Sequence, residues 1–174
     1  RSTKTVDEMA RELTLRLTAL DRAHDLVRPI AGQSDAPSAL LGDLLTVLLA
    51  PYDDLGAFSG RIRVSVPRMG VGAAATTTFA LIIHELATNS LKYGALSVDT
   101  GLLDVSCSAH DEAVTIVWSE RGGPKVDPTS APTGYGSRLV ERSVTGQLRG
   151  SIKYDWAADG VCVTLLIDPV ALAG

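Results

Sequence analysis

The sequence predicts an α+β domain, a two-layer sandwich of helices on a mostly antiparallel sheet, preceded by a long amphipathic helix. Two patterns carry this. Apolar residues recur at mostly three- and four-residue steps in segments 6–30, 76–93 and 137–148, the spacing that gathers them on one helix face, and segment 39–50 is leucine-rich enough to be buried on much of its circumference. Elsewhere apolar and polar residues alternate, as they do in half-buried strands. The resulting order is helix, helix, strand, helix, hairpin, Gly/Pro-rich loop, helix, hairpin, which suits helices on one face of a sheet with its other face available. A chain of 174 residues is one ordinary domain with room for a short helical attachment. We therefore expect the attachment over residues 1–31 and the globular domain over 36–174.

The first helix runs from about Val6 to Ile30, with Val6, Met9, Leu13, Leu17, Leu20 and Val27 on its stripe. Thr5 and the acids after it mark its start, and Pro29-Ile-Ala-Gly32 its end. Leu15 and Leu26 widen the stripe, so the helix needs more than one neighbour, which a helical hairpin or a homodimer supplies. A linker over 32–38 leads to the second helix, Ala39–Ala50, closed by Pro51. Ile62, Val64 and Val66 then alternate as a strand. The next helix carries the polar constellation discussed below and gives way at Gly94. Leu103, Val105 and Cys107 pair with Val114, Ile116 and Trp118 in a hairpin around His110-Asp-Glu. After the irregular stretch 119–136 come a short helix, Ser137–Leu148, and a closing hairpin with Ile152, Tyr154 and Trp156 in one arm and Val161, Val163, Leu165 and Ile167 in the other.

Composition excludes several classes. The 45% hydrophobic content supports a packed core, and the 5% aromatic content makes that core mostly aliphatic. A net charge of −4 and a pI near 5.3 argue against a nucleic-acid surface. Cys107 and Cys162 each lie in an alternating apolar run and read as buried thiols, not as a disulfide or a zinc site. Lone His24 has no acid partner and reads as structural. No apolar run is long enough to cross a bilayer, and the residues from Arg1 onward do not form a signal peptide, so a cytoplasmic location is expected.

Within Thr76–Ser97, Phe79, Ile83, Leu86, Ala87 and Ser90 share one helical arc, and Glu85, Thr88, Asn89 and Lys92 the opposite one. Such a polar arc is either a solvated face or a site for a metal ion and a phosphate. Glu85 and Asn89 offer the hard oxygen ligands that Mg²⁺ prefers, and Lys92 can neutralise phosphate charge. Gly134 and Gly136 stand at the mouth of the following helix, where backbone amides favour anions, although a plain connection would look the same. The four lysines, Lys4, Lys92, Lys125 and Lys153, include none in a GK[ST] motif, which excludes a P-loop. His84-Glu85 lacks the second histidine of a zinc-protease helix.

In order and spacing, HELATNSLKYGALS (84–97), WSERGGP (118–124) and TGYGSRLVE (133–141) closely resemble the ATP-binding domain of sensor histidine kinases, specifically the HWE family. That family is named for a histidine in its N-box and a Trp-x-Glu motif, here His84, Trp118 and Glu120. The first 27 residues resemble the second helix of the family's dimerisation and phosphotransfer hairpin. The resemblance implies the fold of histidine kinase and gyrase-type ATPases, with ATP and Mg²⁺ as cofactors. It implies Asn89 as the Mg²⁺ ligand, Lys92 and Tyr93 along the nucleotide, and Glu85 at the catalytic carboxylate position. Glu120 would read the adenine amino group, Gly122, Gly123 and Pro124 would begin a lid, Gly134, Tyr135 and Gly136 would approach the phosphates, and Thr164 would line the adenine pocket. Ser90 for a common Ala and Tyr135 for a common Phe are mild departures.

The implied function is transfer of the ATP γ-phosphoryl group to a histidine for relay to a response regulator receiver domain, in a bacterial cytoplasm and under an upstream sensor domain. None of His24, His84 and His110 has the sequence context of the family's phosphoacceptor, so self-phosphorylation by this chain alone is not expected. A non-catalytic phosphotransfer or dimerisation adaptor on the same fold is the alternative. Asn89, Lys92, Glu120 and the lid glycines speak against it. A different ATPase or serine kinase on this fold would have no use for the first helix.

Overall fold

The computed structural model describes residues 10, 14, 17, 18, 20–23, 25–26, 39–53, 60–110, 112–125, 134–158 and 160–174. The expected ends of the first helix, His24, the linker 32–38 and the middle of the Gly/Pro-rich loop lie outside them. The elements are β1 (Ala39–Leu40), α1 (Leu41–Asp53), β2 (Ile62–Ser65), β3 (Gly70–Val71), α2 (Ala73–Tyr93), a 3₁₀ turn (Ala95–Ser97), β4 (Leu102–Ala109), β5 (Val114–Arg121), α3 (Tyr135–Arg142), β6 (Ser151–Ala157), β7 (Gly160–Ile167) and α4 (Pro169–Ala173).

The main sheet has five strands in the order β2-β4-β5-β7-β6. Its pairings are antiparallel except β2 with β4, which run parallel with Val64 opposite Val105. The expected α+β sandwich is present. The alternation read from the sequence sets its inner face: Leu103 and Val105, Val114, Ile116 and Trp118, and Val163, Leu165 and Ile167 are all buried. They meet Phe79, Ile82, Ile83 and Leu86 of α2 and the leucine ridge Leu41, Leu44, Leu45, Leu48 and Leu49 of α1 in one core. Each fully buried aliphatic or Phe side chain contributes about 1.5–3 kcal/mol.

Several elements differ from expectation: Ala39 and Leu40, expected to open the second helix, form the short strand β1, which pairs antiparallel with the unexpected β3. Pro51 does not end α1, which continues to Asp53. Pro51 lies in the last turn, so the intrahelical bond it removes lies close to the helix end and not in its middle. The Asp53 carboxylate then accepts backbone N–H bonds from Gly60, Arg61 and Ile62 at 3.1–3.3 Å, fixing the return into β2. Helix α3 begins two residues early, at Tyr135, and opens into a wide π turn over Ser143–Gln147. Helix α4 was not expected, although Asp168-Pro169 is a start signal: the Asp168 side chain accepts from the Val170 amide at 2.8 Å.

The described residues of the first segment are helical, with Thr14 and Thr18 hydroxyls bonded back to the carbonyls of Ala10 and Thr14. On the expected stripe Leu17 is exposed, whereas Leu20 packs on the domain core together with Leu26. Ala23, off that stripe, is fully buried in the same core, because a side chain this small lets the helix approach closely. The helix therefore does not stand apart from the domain.

Candidate functional site

Helix α2 is long enough to cross the sheet, and its three threonines near the start are accommodated by returning their hydroxyls to carbonyls one turn back. Its far end ejects into the 3₁₀ turn, and there a cavity of about 610 Å³ opens between α2, the turn, the start of α3 and the β7–β6 hairpin. That volume is in the range of small-molecule sites.

Glu120, the last inward-facing residue of β5, is the best-defined group in it. It is only 6% exposed. Its Oε1 accepts from the Trp118 indole Nε1 at 2.8 Å, and its Oε2 accepts from the Ala95 amide at 2.7 Å. A carboxylate offers about four acceptor positions, so two remain for whatever enters the cavity. Trp118 thus orients Glu120, which accounts for the Trp-x-Glu spacing: in a strand, residues two apart share a face. The turn that supplies Ala95 is itself tied down. The Ser90 hydroxyl accepts from the Leu96 amide at 3.2 Å, and the buried Arg61 guanidinium donates to the Val98 carbonyl at 2.7 Å. Gly94 permits the approach, because a β-carbon there would strike the Glu120 carboxylate and lie 2.9 Å from the Ser90 Cα.

Of the residues singled out from the sequence, Asn89, Tyr93, Glu120, Gly123 and Gly134 line the cavity, and so does Pro124. Lys92 and Tyr135 are exposed on α2 and α3 close by. Glu85 was placed on a polar arc but is buried, its carboxylate seated where a β-carbon of Gly136 would otherwise be. Gly122 serves the backbone: its φ of +70° turns the chain out of β5. Thr164 is not brought in. Along β7 side chains alternate, and Val161 and Val163 face the cavity, which sends Thr164 to the opposite side of the sheet. Sequence reasoning missed Tyr154 and Trp156 of β6, both of which line the cavity. Their alternation announced a buried face but not what that face adjoins.

His84 lies on the other side of α2. Its Nδ1 is 2.7 Å from the Tyr52 hydroxyl of α1, and it is buried. Burial pushes the Tyr52 hydroxyl above its ordinary pKa and the nearby Glu85 charge adds to this, while a bond with Thr88 and the charge of Arg22 work the other way. Through His84, Tyr52 joins α1 to the turn of α2 that carries Glu85.

Among curated proteins the chain is 38% identical over 163 residues to blue-light-activated histidine kinase 1 of Erythrobacter litoralis, a match covering 92% of this chain. It is 35% identical over 156 residues to the blue-light-activated histidine kinase of Brucella anthropi. This chain belongs to the histidine kinases. It spans 44% and 30% of the length of those two relatives. No family model matches it. Among solved structures, the histidine kinase domain of the Erythrobacter litoralis EL346 blue-light activated kinase superposes with a TM-score of 0.71 at 18% identity, covering 93% of this chain and 78% of that one. The catalytic domain of histidine kinase ThkA gives 0.57 at 12% identity, with 74% and 93% covered. The sandwich is therefore the fold of histidine kinase catalytic domains. Among the described residues of this histidine kinase chain, no helix is long and apolar enough to cross a membrane, and no cluster of three or more His, Cys, Asp or Glu could hold a metal by itself.

Proposed function

We propose that this chain is the ATP-binding catalytic region of an HWE-type sensor histidine kinase, and that its cavity holds ATP. The observation that carries the reading is the Glu120 carboxylate, fixed by Trp118 and Ala95 with free acceptor capacity toward a cavity that Asn89 also lines. Glu120 accepts the exocyclic amine of adenine, Tyr93 and Lys92 run along the nucleotide, Gly122 and Gly123 begin the cover, and the amides after Gly134 receive phosphate oxygens.

The donor set suits a magnesium ion carried in on the triphosphate. With Asn89 on the cavity wall and Glu85 one turn back, the protein supplies one or two oxygens and leaves the rest to phosphate and water. When bound, that ion neutralises charge on the β- and γ-phosphates. The chain's own contribution is positioning: Asn89 and Glu120 hold the two ends of the nucleotide, and Lys92 and the α3 amides offset the charge of the transferring group. The bond between the γ-phosphorus and the bridging oxygen breaks, a bond to a histidine nitrogen forms, and ADP leaves. The acceptor histidine and the response regulator that takes the group from it lie outside this chain, with the first helix serving to dimerise.

Calorimetric titration tests the reading. Saturable ATP binding that tightens with Mg²⁺ is expected, and no binding at millimolar ATP would refute it.

A further inference from the structure

One wall of the cavity has no part in the scheme above. On the β5–β7–β6 side, Trp118, Val163 and Tyr154 lie directly opposite one another across two antiparallel pairings. Two residues further along each strand, on the same face, stand Glu120, Val161 and Trp156, with Val161 opposite Trp156. Neighbouring strands are about 4.8 Å apart, so the Glu120 and Trp156 backbones face each other across roughly 10 Å of valine floor. The Tyr154 and Trp156 rings are parallel to within 9°, with centroids 6.1 Å apart, and both line the cavity. They form a stacked aromatic pair on the cavity wall, across the valines from a fixed acceptor.

We infer that Trp156, backed by Tyr154, gauges the size of the nucleobase. A base that gives its exocyclic amine to Glu120 reaches the indole only if it carries a second fused ring; a single-ring base leaves the wall bare. Glu120 alone cannot make this distinction, because cytosine presents an exocyclic amine as adenine does. The inference rests on the nucleotide reading and adds a selection for purines to it.

The experiment compares ATP, CTP and inorganic tripolyphosphate on the native chain and on Trp156→Ala and Trp156→Phe. Stacking of a base on one aromatic ring is worth about five- to a hundredfold in affinity, so Trp156→Ala should weaken ATP about fivefold or more. CTP and tripolyphosphate should bind as before, and Trp156→Phe should recover most of the ATP affinity. Tripolyphosphate makes no base contact and so reports that each variant is folded; should Trp156→Ala lose it, Trp156→Leu takes its place. Equal losses for ATP and CTP, or unchanged ATP affinity, would overturn the inference while leaving the nucleotide site standing. A native chain that binds neither ATP nor tripolyphosphate would bring down both.

Discussion

The two ends of the cavity are built differently. At the end proposed for the base the key groups are held by protein: both Glu120 oxygens have donors, and Ser90 and Arg61 hold the turn that provides one of them. At the end proposed for the phosphates Asn89 is half-buried, and Lys92, Tyr93 and Gly134 are exposed. The first arrangement costs the ligand nothing to organise, so it favours selectivity. The second is exposed, so its contribution to binding an anion is screened by salt.

Glu120→Ala breaks this contrast most severely. It removes the acceptor for the base and strands two buried donors, the Trp118 indole and the Ala95 amide, at about 1–3 kcal/mol each. ATP affinity should fall by about two orders of magnitude and the thermal midpoint with it; a variant that keeps its midpoint would mean the two bonds are dispensable. Asn89→Ala should separate the ends. Because Asn89 is half-buried, stability should stay within about 0.5 kcal/mol, while the tightening of ATP by Mg²⁺, expected to be about tenfold, should vanish. Calorimetry with and without the ion checks this, and a preserved ratio would remove Asn89 from metal binding. Trp118→Phe keeps an aromatic ring but withdraws one donor from Glu120 and leaves a small cavity, so a loss of about 1–3 kcal/mol in stability and a several-fold loss in ATP affinity are expected.

The smallest effect concerns pH. Burial, with the Glu141 charge added, raises the Tyr154 hydroxyl from 10.0 to about 12. The unfolded chain therefore loses this proton first on raising the pH, and the stability that Tyr154 contributes is full below pH 10 and falls away between about 10 and 12. Tyr154→Phe should flatten that alkaline decline without altering stability near neutrality. Denaturant melts across the range would reveal an unchanged slope if the hydroxyl has no such role.

Much of this was legible in the residues themselves. The period-2 runs located all five strands of the main sheet, and the motif around Glu85–Tyr93 located the helix that walls the cavity. What could not be read was direction and adjacency. Alternation in Ile62–Val66 says that one face is buried, and is silent on whether the partner strand runs with it or against it. The same holds for Tyr154 and Trp156: only the pairing of β6 with β7 and of β7 with β5 sets them across from Glu120. Thr164 is a different case. Val161, Val163, Leu165 and Ile167 share one face by their alternation, which by itself sends Thr164 to the other, against the role that the family resemblance implies. Leucine spacing showed α1, but its continuation past Pro51 depends on Asp53 reaching three amides further along the chain.

The sequence contains two tryptophans, and the fold divides them cleanly. Trp118 is sealed at 1% exposure with its indole nitrogen committed, whereas Trp156 lines the open cavity. Their emission should be separable: acrylamide should quench only the latter, and occupancy of the cavity should shield it while the blue-shifted remainder stays constant. The native chain thus has a built-in optical gauge of its own ligand, with no label to attach.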